Sequence, residues 1–113
     1  MYEYNATVIQ VIDGNTIEVS IDLGFSMSFR STFRLFGIDT PELTSHDATI
    51  RELANHAKCR LAELVNGKTV LVRVHKPDKH GRWLVEIKTT DITLGTINTQ
   101  LIAEGFAKPY LGV

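Results

Sequence analysis

The feature that most restricts the fold is a pair of alternating, β-branched stretches, Thr7 to Ile12 and Thr16 to Ile21, divided by Asp13-Gly14-Asn15. A period of two sends successive side chains to opposite faces, and an Asp-Gly break between two such runs joins them as an antiparallel hairpin. A second turn signal, Asp22-Leu23-Gly24, leads into Ser26 to Phe36. There Met27, Phe29, Phe33 and Leu35 predict a third strand, with an irregularity near Arg30 to Thr32. The chain therefore opens as a three-stranded meander.

Gly37-Ile38-Asp39-Thr40-Pro41-Glu42 follows, a polar string with no hydrophobic period whose Gly and Pro end regular structure. Thr44, Ser45 and Asp47 offer capping groups for a helix. Its apolar stripe is Ile50, Leu53, Ala54, Ala57, Leu61, Leu64 and Val65, ending at Asn66-Gly67. Thr69 to Val74 and Trp83 to Thr89 predict two further strands. Lys76 to Gly81 between them cannot continue a ladder and predicts a hairpin with a mobile tip. Ile97, Leu101 and Ile102 share one face of a short helix that ends at Gly105, a residue that accepts the left-handed conformation of a helix terminus. The expected fold is mainly β with helices (α+β). It is a five-stranded antiparallel OB-type barrel with a long helix between strands three and four and a short C-terminal helix.

A chain of 113 residues, 43% of them hydrophobic, can bury one core, so residues 1–113 are expected to form a single domain. No apolar run approaches the roughly 18 to 20 residues of a membrane-spanning helix, and no membrane partner is expected. The chain opens without a charged leader and apolar h-region, which leaves its compartment open: a secreted protein would have had a leader removed, and an intracellular one needs none. Cys59, the only cysteine, excludes a disulfide framework and reads as a small core residue on the helix. A net charge of −1 excludes a generic basic nucleic-acid coat. The charge is uneven, however: residues 1–57 carry three Lys/Arg and eight Asp/Glu, residues 58–113 nine and five. An acidic cluster facing a basic one is what a metal site beside a phosphate site requires, although an unevenly charged solvated surface also explains it.

Asp39 and Glu42 flank Thr40-Pro41, with Arg34 shortly before and Asn15 in the first turn. Oxygen donors from two loops suit a hard cation such as Ca²⁺. Taken alone, Asp39 as a turn cap and a solvated Glu42 explain that string more simply. Arg34 changes the balance, because it interrupts an apolar stretch on the face opposite Phe33 and Leu35, where a cation needs an anionic partner. Arg82, between Gly81 and Trp83, is aimed from a strand end, and guanidinium forks match phosphate oxygens; alone it reads as a surface arginine.

Val11-Ile12-Asp13-Gly14-Asn15-Thr16, Phe33-Arg34-Leu35 through Pro41-Glu42, Asp78-Lys79-His80-Gly81-Arg82 and Ala103-Glu104-Gly105-Phe106-Ala107 occur in the order of the signatures of the staphylococcal nuclease (thermonuclease) family. The chain resembles that family from about Tyr4 to Tyr110. The resemblance implies a Ca²⁺-dependent phosphodiesterase acting on DNA and RNA, with single strands preferred; a monomer is favoured, the oligomeric state being left open. Asp39 and the Thr40 carbonyl would hold the metal, Glu42 would hold or activate the attacking water, and Arg34 and Arg82 would bind the scissile phosphate. Lys79, His80 and Tyr110 match positions near the terminal phosphate and the base.

Two departures qualify this. The family usually has a second aspartate ligand where this chain has Asn15, so one negative charge is missing and Ca²⁺ is expected to bind weakly. Asp13 and Glu18 are the nearby carboxylates that would offset this through water. Family members also continue into a final helix beyond the Tyr110 region, whereas this chain stops at Val113, so exposed barrel surface is expected. Three functions follow in order: a weakened metal-dependent nuclease, a non-catalytic nucleic-acid-binding module, and a protein-interaction barrel that binds no phosphate.

Overall fold

The structure, a computed structural model, describes residues 2–89 and 95–110. The elements run β1 (Tyr2–Asp13), β2 (Thr16–Gly24), β3 (Met27–Leu35), β4 (Ile38–Asp39), α1 (Ala48–Val65), β5 (Thr69–Pro77), β6 (Trp83–Lys88), α2 (Ile97–Ala103) and β7 (Lys108–Pro109). Five strands close into a barrel in the order β1-β2-β3-β6-β5, and β4 pairs with β7 in a separate ribbon. No helix among the described residues is long and apolar enough to cross a membrane.

The β2–β3 ladder runs unbroken from Thr16 opposite Arg34 to Asp22 opposite Ser28. Its one shift lies between Asp22 and Gly24, so the irregularity expected near Arg30 to Thr32 is absent. The turn sits at Phe25 and Ser26, both at positive φ, and Phe25 is 99% exposed at the tip.

One seam departs from the all-antiparallel expectation. β3 and β6 run parallel, with Phe33 opposite Trp83, Arg34 opposite Leu84 and Leu35 opposite Val85. Parity requires this: an odd number of strands closed in a ring cannot reverse direction at every neighbour. The connection between these strands carries α1 and β5, long enough for a parallel crossover.

The barrel core is made of inward-facing residues such as Val8, Ile17, Val19, Phe33, Val72 and Ile87, all essentially inaccessible, and Leu61 and Val65 of α1 join it. Asp47 caps that helix by accepting a hydrogen bond from Thr49 N at 2.8 Å. The buried stripe is narrower than expected: it begins at Ala54 and continues through Ala57, Leu61 and Val65, leaving Ile50 and Leu53 exposed. Cys59 is exposed rather than in the core. At about 100° per residue it lies on the far side of the helix from Ala57 and Leu61.

Helix α2 closes the seam. Asn98 is 3% exposed; its Nδ2 donates to Phe36 O at 2.8 Å and to Val85 O at 3.0 Å, and its Oδ1 accepts from Ile87 N at 3.1 Å. One amide side chain thus satisfies backbone groups at the end of β3 and along β6. A capping box between Thr96 and Thr99 starts α2. At its far end Arg60 reaches both carboxylate oxygens of Glu104, at 2.6 and 3.0 Å, fastening α1 to α2. The bonds from Arg60, then from Gln100, hold the Glu104 carboxyl down at about 2.

Asn98→Ala removes the side-chain partner of Phe36 O and Ile87 N, while Val85 O still accepts from Phe36 N at 2.7 Å. It is expected to destabilise the fold by about 2–4 kcal/mol, at roughly 1–3 kcal/mol per unsatisfied group. Urea unfolding measures this, and a change below about 1 kcal/mol would contradict the clamp.

Candidate active site

Arg34 stands on β3 and Arg82 immediately before β6, its neighbour across the parallel seam. Alternation in β3 buries Phe33 and Leu35 and turns Arg34 to the outer face, where its side chain is 19% exposed. Gly37, at φ 78°, reverses the chain so that β4 passes close by. Arg34 Nη2 donates to Ile38 O at 3.4 Å and lies 3.8 Å from Asp39 Oδ1, so the anionic partner its position demands is Asp39. The β4–β7 ribbon pairs Asp39 with Lys108, and Tyr110 N donates to Gly37 O at 2.8 Å. That pairing sets the Tyr110 ring 5.6 Å from the Arg34 guanidinium carbon, within cation–π range.

Arg82 is held by Asp78, which opens the Asp78-Lys79-His80-Gly81-Arg82 signature but was assigned no role from it. Asp78 organises the β5–β6 connection: its Oδ1 accepts from His80 N at 2.8 Å and Arg82 N at 2.9 Å, and its Oδ2 accepts from Arg82 Nε at 3.1 Å. The connection is a hydrogen-bonded turn, also tied by Asp78 N, which donates to Arg82 O at 2.7 Å. Burial, the largest single influence, pushes the Asp78 carboxyl up. The two backbone N–H groups and the guanidinium together outweigh it, and the carboxyl sits below the ordinary aspartate value. The visible signal was local: Asp followed by Gly three residues on is a side-chain-capped turn.

The acidic wall depends on close packing at Gly14. A Cβ there would lie 2.9 Å from Ala57 Cβ and 2.9 Å from Thr40 Oγ1, so the hairpin turn, the acidic loop and α1 meet only because this residue is glycine. Asn15, 7% exposed, follows. Its backbone oxygen accepts from Leu35 N at 2.8 Å, and its Oδ1 is 3.3 Å from the Thr16 hydroxyl that donates to it. Thr40 is buried, and Asp39 and Glu42 are exposed.

These groups line one cleft of about 460 Å³: Asn15, Asp39, Thr40 and Glu42 with Arg34 and Arg82. Lys79, His80 and Tyr110 fall in a second cleft of about 330 Å³ that shares both arginines. All nine residues singled out in the sequence are therefore divided between two cavities joined at Arg34 and Arg82. Asp13 lines the first cleft, but its Oδ1 already accepts from Asn15 N at 3.0 Å. Glu18 does not line it; Arg30, then Gln10, hold it in a surface network that lowers its carboxyl.

The available donors in the first cleft are oxygens, as a hard cation prefers. Among the described residues, however, no three His, Cys, Asp or Glu side chains converge. The donor set fits Ca²⁺ in kind and is poor in charge.

A closed mixed barrel with two arginines at its parallel seam opposite a carboxylate loop defines an OB-type domain with a cationic cleft. The chain belongs to the Staphylococcal nuclease homologue family, which matches residues 32–112. Every site residue except Asn15 lies within that match. Comparison with curated proteins gives no match.

Gly14→Ala is expected to destabilise the protein by about 1–3 kcal/mol, as overpacking does. Denaturant unfolding checks it, and parental stability would contradict the packing described.

Proposed function

We propose that this chain hydrolyses phosphodiester bonds in single-stranded DNA and RNA, weakly and with Ca²⁺. The observation that carries the reading is the single cleft in which Arg34 and Arg82 face Asp39, Thr40 and Glu42. In the reaction a water oxygen attacks phosphorus, the P–O bond to the leaving oxygen breaks, and that oxygen takes up a proton. Negative charge builds on the non-bridging oxygens. Arginine N–H donors fixed beside them stabilise that charge with little reorganisation. Arg82 is pre-aimed by Asp78, and Arg34 by Asp39 and Tyr110, which leaves several of each guanidinium's five N–H donors for phosphate. Glu42, exposed at the cleft, orients the water and accepts its proton.

Asp39, the Thr40 carbonyl and the Asn15 amide oxygen would hold the cation, which supplies Lewis-acid polarisation of the phosphate when bound. Asn15 contributes no charge and shares its oxygen with Thr16, so affinity for the cation is low. Lys79, His80 and Tyr110 receive the adjoining phosphate and base in the second cleft. Recognition through phosphate reads backbone rather than base edges, which makes sequence specificity loose.

The small number of carboxylates supports a second reading, a nucleic-acid-binding module without catalysis. Cleavage of a single-stranded oligonucleotide with excess Ca²⁺ and with chelator separates the two. The nuclease reading predicts Ca²⁺-dependent cutting, raised about 10-fold or more by Asn15→Asp and lowered about 10²- to 10⁴-fold by Glu42→Ala. Absent cutting with binding in chelator that Arg34→Ala and Arg82→Ala abolish makes the chain a binding module. Absence of both cutting and binding overturns both readings.

A further inference from the structure

A cavity of about 820 Å³ is distinct from the arginine cleft. It lies where the start of β1, the root of the β2–β3 hairpin and the β5–β6 connection meet, over a floor of Ile21, Phe33 and Val74. Its walls are aromatic: Tyr2 is 73% exposed, Phe29 46% and Trp83 40%. A soluble domain rarely leaves so much contiguous aromatic surface uncovered without a ligand for it.

Charge and continuity indicate which ligand. No carboxylate lines the groove, and its cationic side chain is Lys76. Lys76 also lines the cleft that holds Arg34, Arg82 and Lys79, so the two cavities adjoin at a lysine. Trp83 follows Arg82 directly and pairs across the seam with Phe33. Within the groove the rings of Phe36 and His75 lie parallel, 3.9 Å apart with 2° between their planes. Glu86 lies 3.6 Å from His75 Nε2 but is not part of the groove lining. A ligand that suits these surroundings carries phosphates for the basic border and flat rings for the apolar walls.

We propose that the groove is a base-stacking subsite for unpaired nucleotides flanking the phosphate held at Arg34 and Arg82. The chain then grips a run of single strand rather than one nucleotide. Backbone phosphates pass Lys76, and bases turn inward onto Trp83, Phe29 and Tyr2. Stacking of this kind tolerates any base, because every base has a π face. Duplex DNA is disfavoured, since its bases are already stacked on one another. The proposal rests on the phosphate-binding reading of the arginine clefts and adds to it a second, apolar contact.

Trp83 is the only tryptophan, so its fluorescence reports on the groove. The test titrates the full chain, in chelator to prevent cleavage, with three probes. These are thymidine 3′,5′-bisphosphate, oligothymidylate of about eight nucleotides, and an abasic phosphate backbone of the same length. The oligonucleotide is expected to bind about 10-fold or more tightly than the abasic backbone and to quench Trp83. Phe29→Ala and Tyr2→Ala are each expected to reduce that advantage while leaving bisphosphate affinity unchanged; Tyr2, the more exposed, serves if Phe29→Ala does not fold. If bisphosphate binds but oligonucleotide and abasic backbone bind equally, the groove is not a base site and the arginine reading stands. If no probe binds, both readings fall. Sedimentation of the unliganded chain as a dimer that Phe29→Ala dissociates would make the groove a contact between copies and overturn the proposal.

Discussion

The parallel β3–β6 seam is the constraint on which the rest of the structure depends. Five strands closed in a ring require one pair of like direction, and here that pair is three residues long. A ladder this short needs support from outside, and Asn98 supplies it with three hydrogen bonds to backbone groups of both strands. The same seam carries Arg34 on one strand and, immediately before the other, Arg82. Closing the barrel and assembling the cationic side of the cleft are therefore one structural event. Arg34 stands on the packed sheet and Arg82 directly at the start of β6, which favours fixed geometry on this side, while Thr40 and Glu42 stand on the loop after β4.

Around the seam, each cation is balanced before any substrate arrives. Arg82 is paired with Asp78 at 3.0 Å, and Arg34 lies 3.8 Å from Asp39. These pairs do not neutralise the site to the point of uselessness, because a carboxylate engages only part of a guanidinium fork. They set direction: Asp78 fixes Arg82 from behind, and the ribbon that carries Asp39 also brings Tyr110 against Arg34. The opposite wall is weaker in charge, with Asn15 placing a neutral amide beside Thr40 and Asp39. On the proposed function, the side of the cleft that would meet phosphate is more complete than the side that would hold a cation.

Much of the fold was legible because it follows from local rules. Period-two alternation marked the barrel strands, Asp13-Gly14 marked the first turn, and Gly105 at φ 85° marked the end of α2. Of the nine site residues, Arg34, Asp39, Glu42, Arg82 and Asn15 stood out by residue type and placement and the others through the family resemblance; folding divides the nine between adjoining clefts, and their chemical roles remain proposals. What escaped depends on long-range placement. The parallel seam follows from ring closure, which no window of sequence displays. Asn98 looks like an unremarkable polar residue on a short helix until β3 and β6 are brought beneath it. Ile50 and Leu53 fit the helical period yet lie before the stretch of α1 that packs, and Cys59 faces away from it. The Gly14 contact with Ala57 and Thr40 joins three segments far apart in the chain. The aromatic groove likewise draws on residues of all five barrel strands.

The most direct measurement of the central claim is a double-mutant cycle for binding of thymidine 3′,5′-bisphosphate in chelator, using Arg34→Ala, Arg82→Ala and the pair. If the seam joins both arginines into one phosphate site, each single change removes most of the affinity and the pair removes little more, a coupling of about 1 kcal/mol or above. Strictly additive losses, or binding that neither substitution weakens, would contradict a shared site.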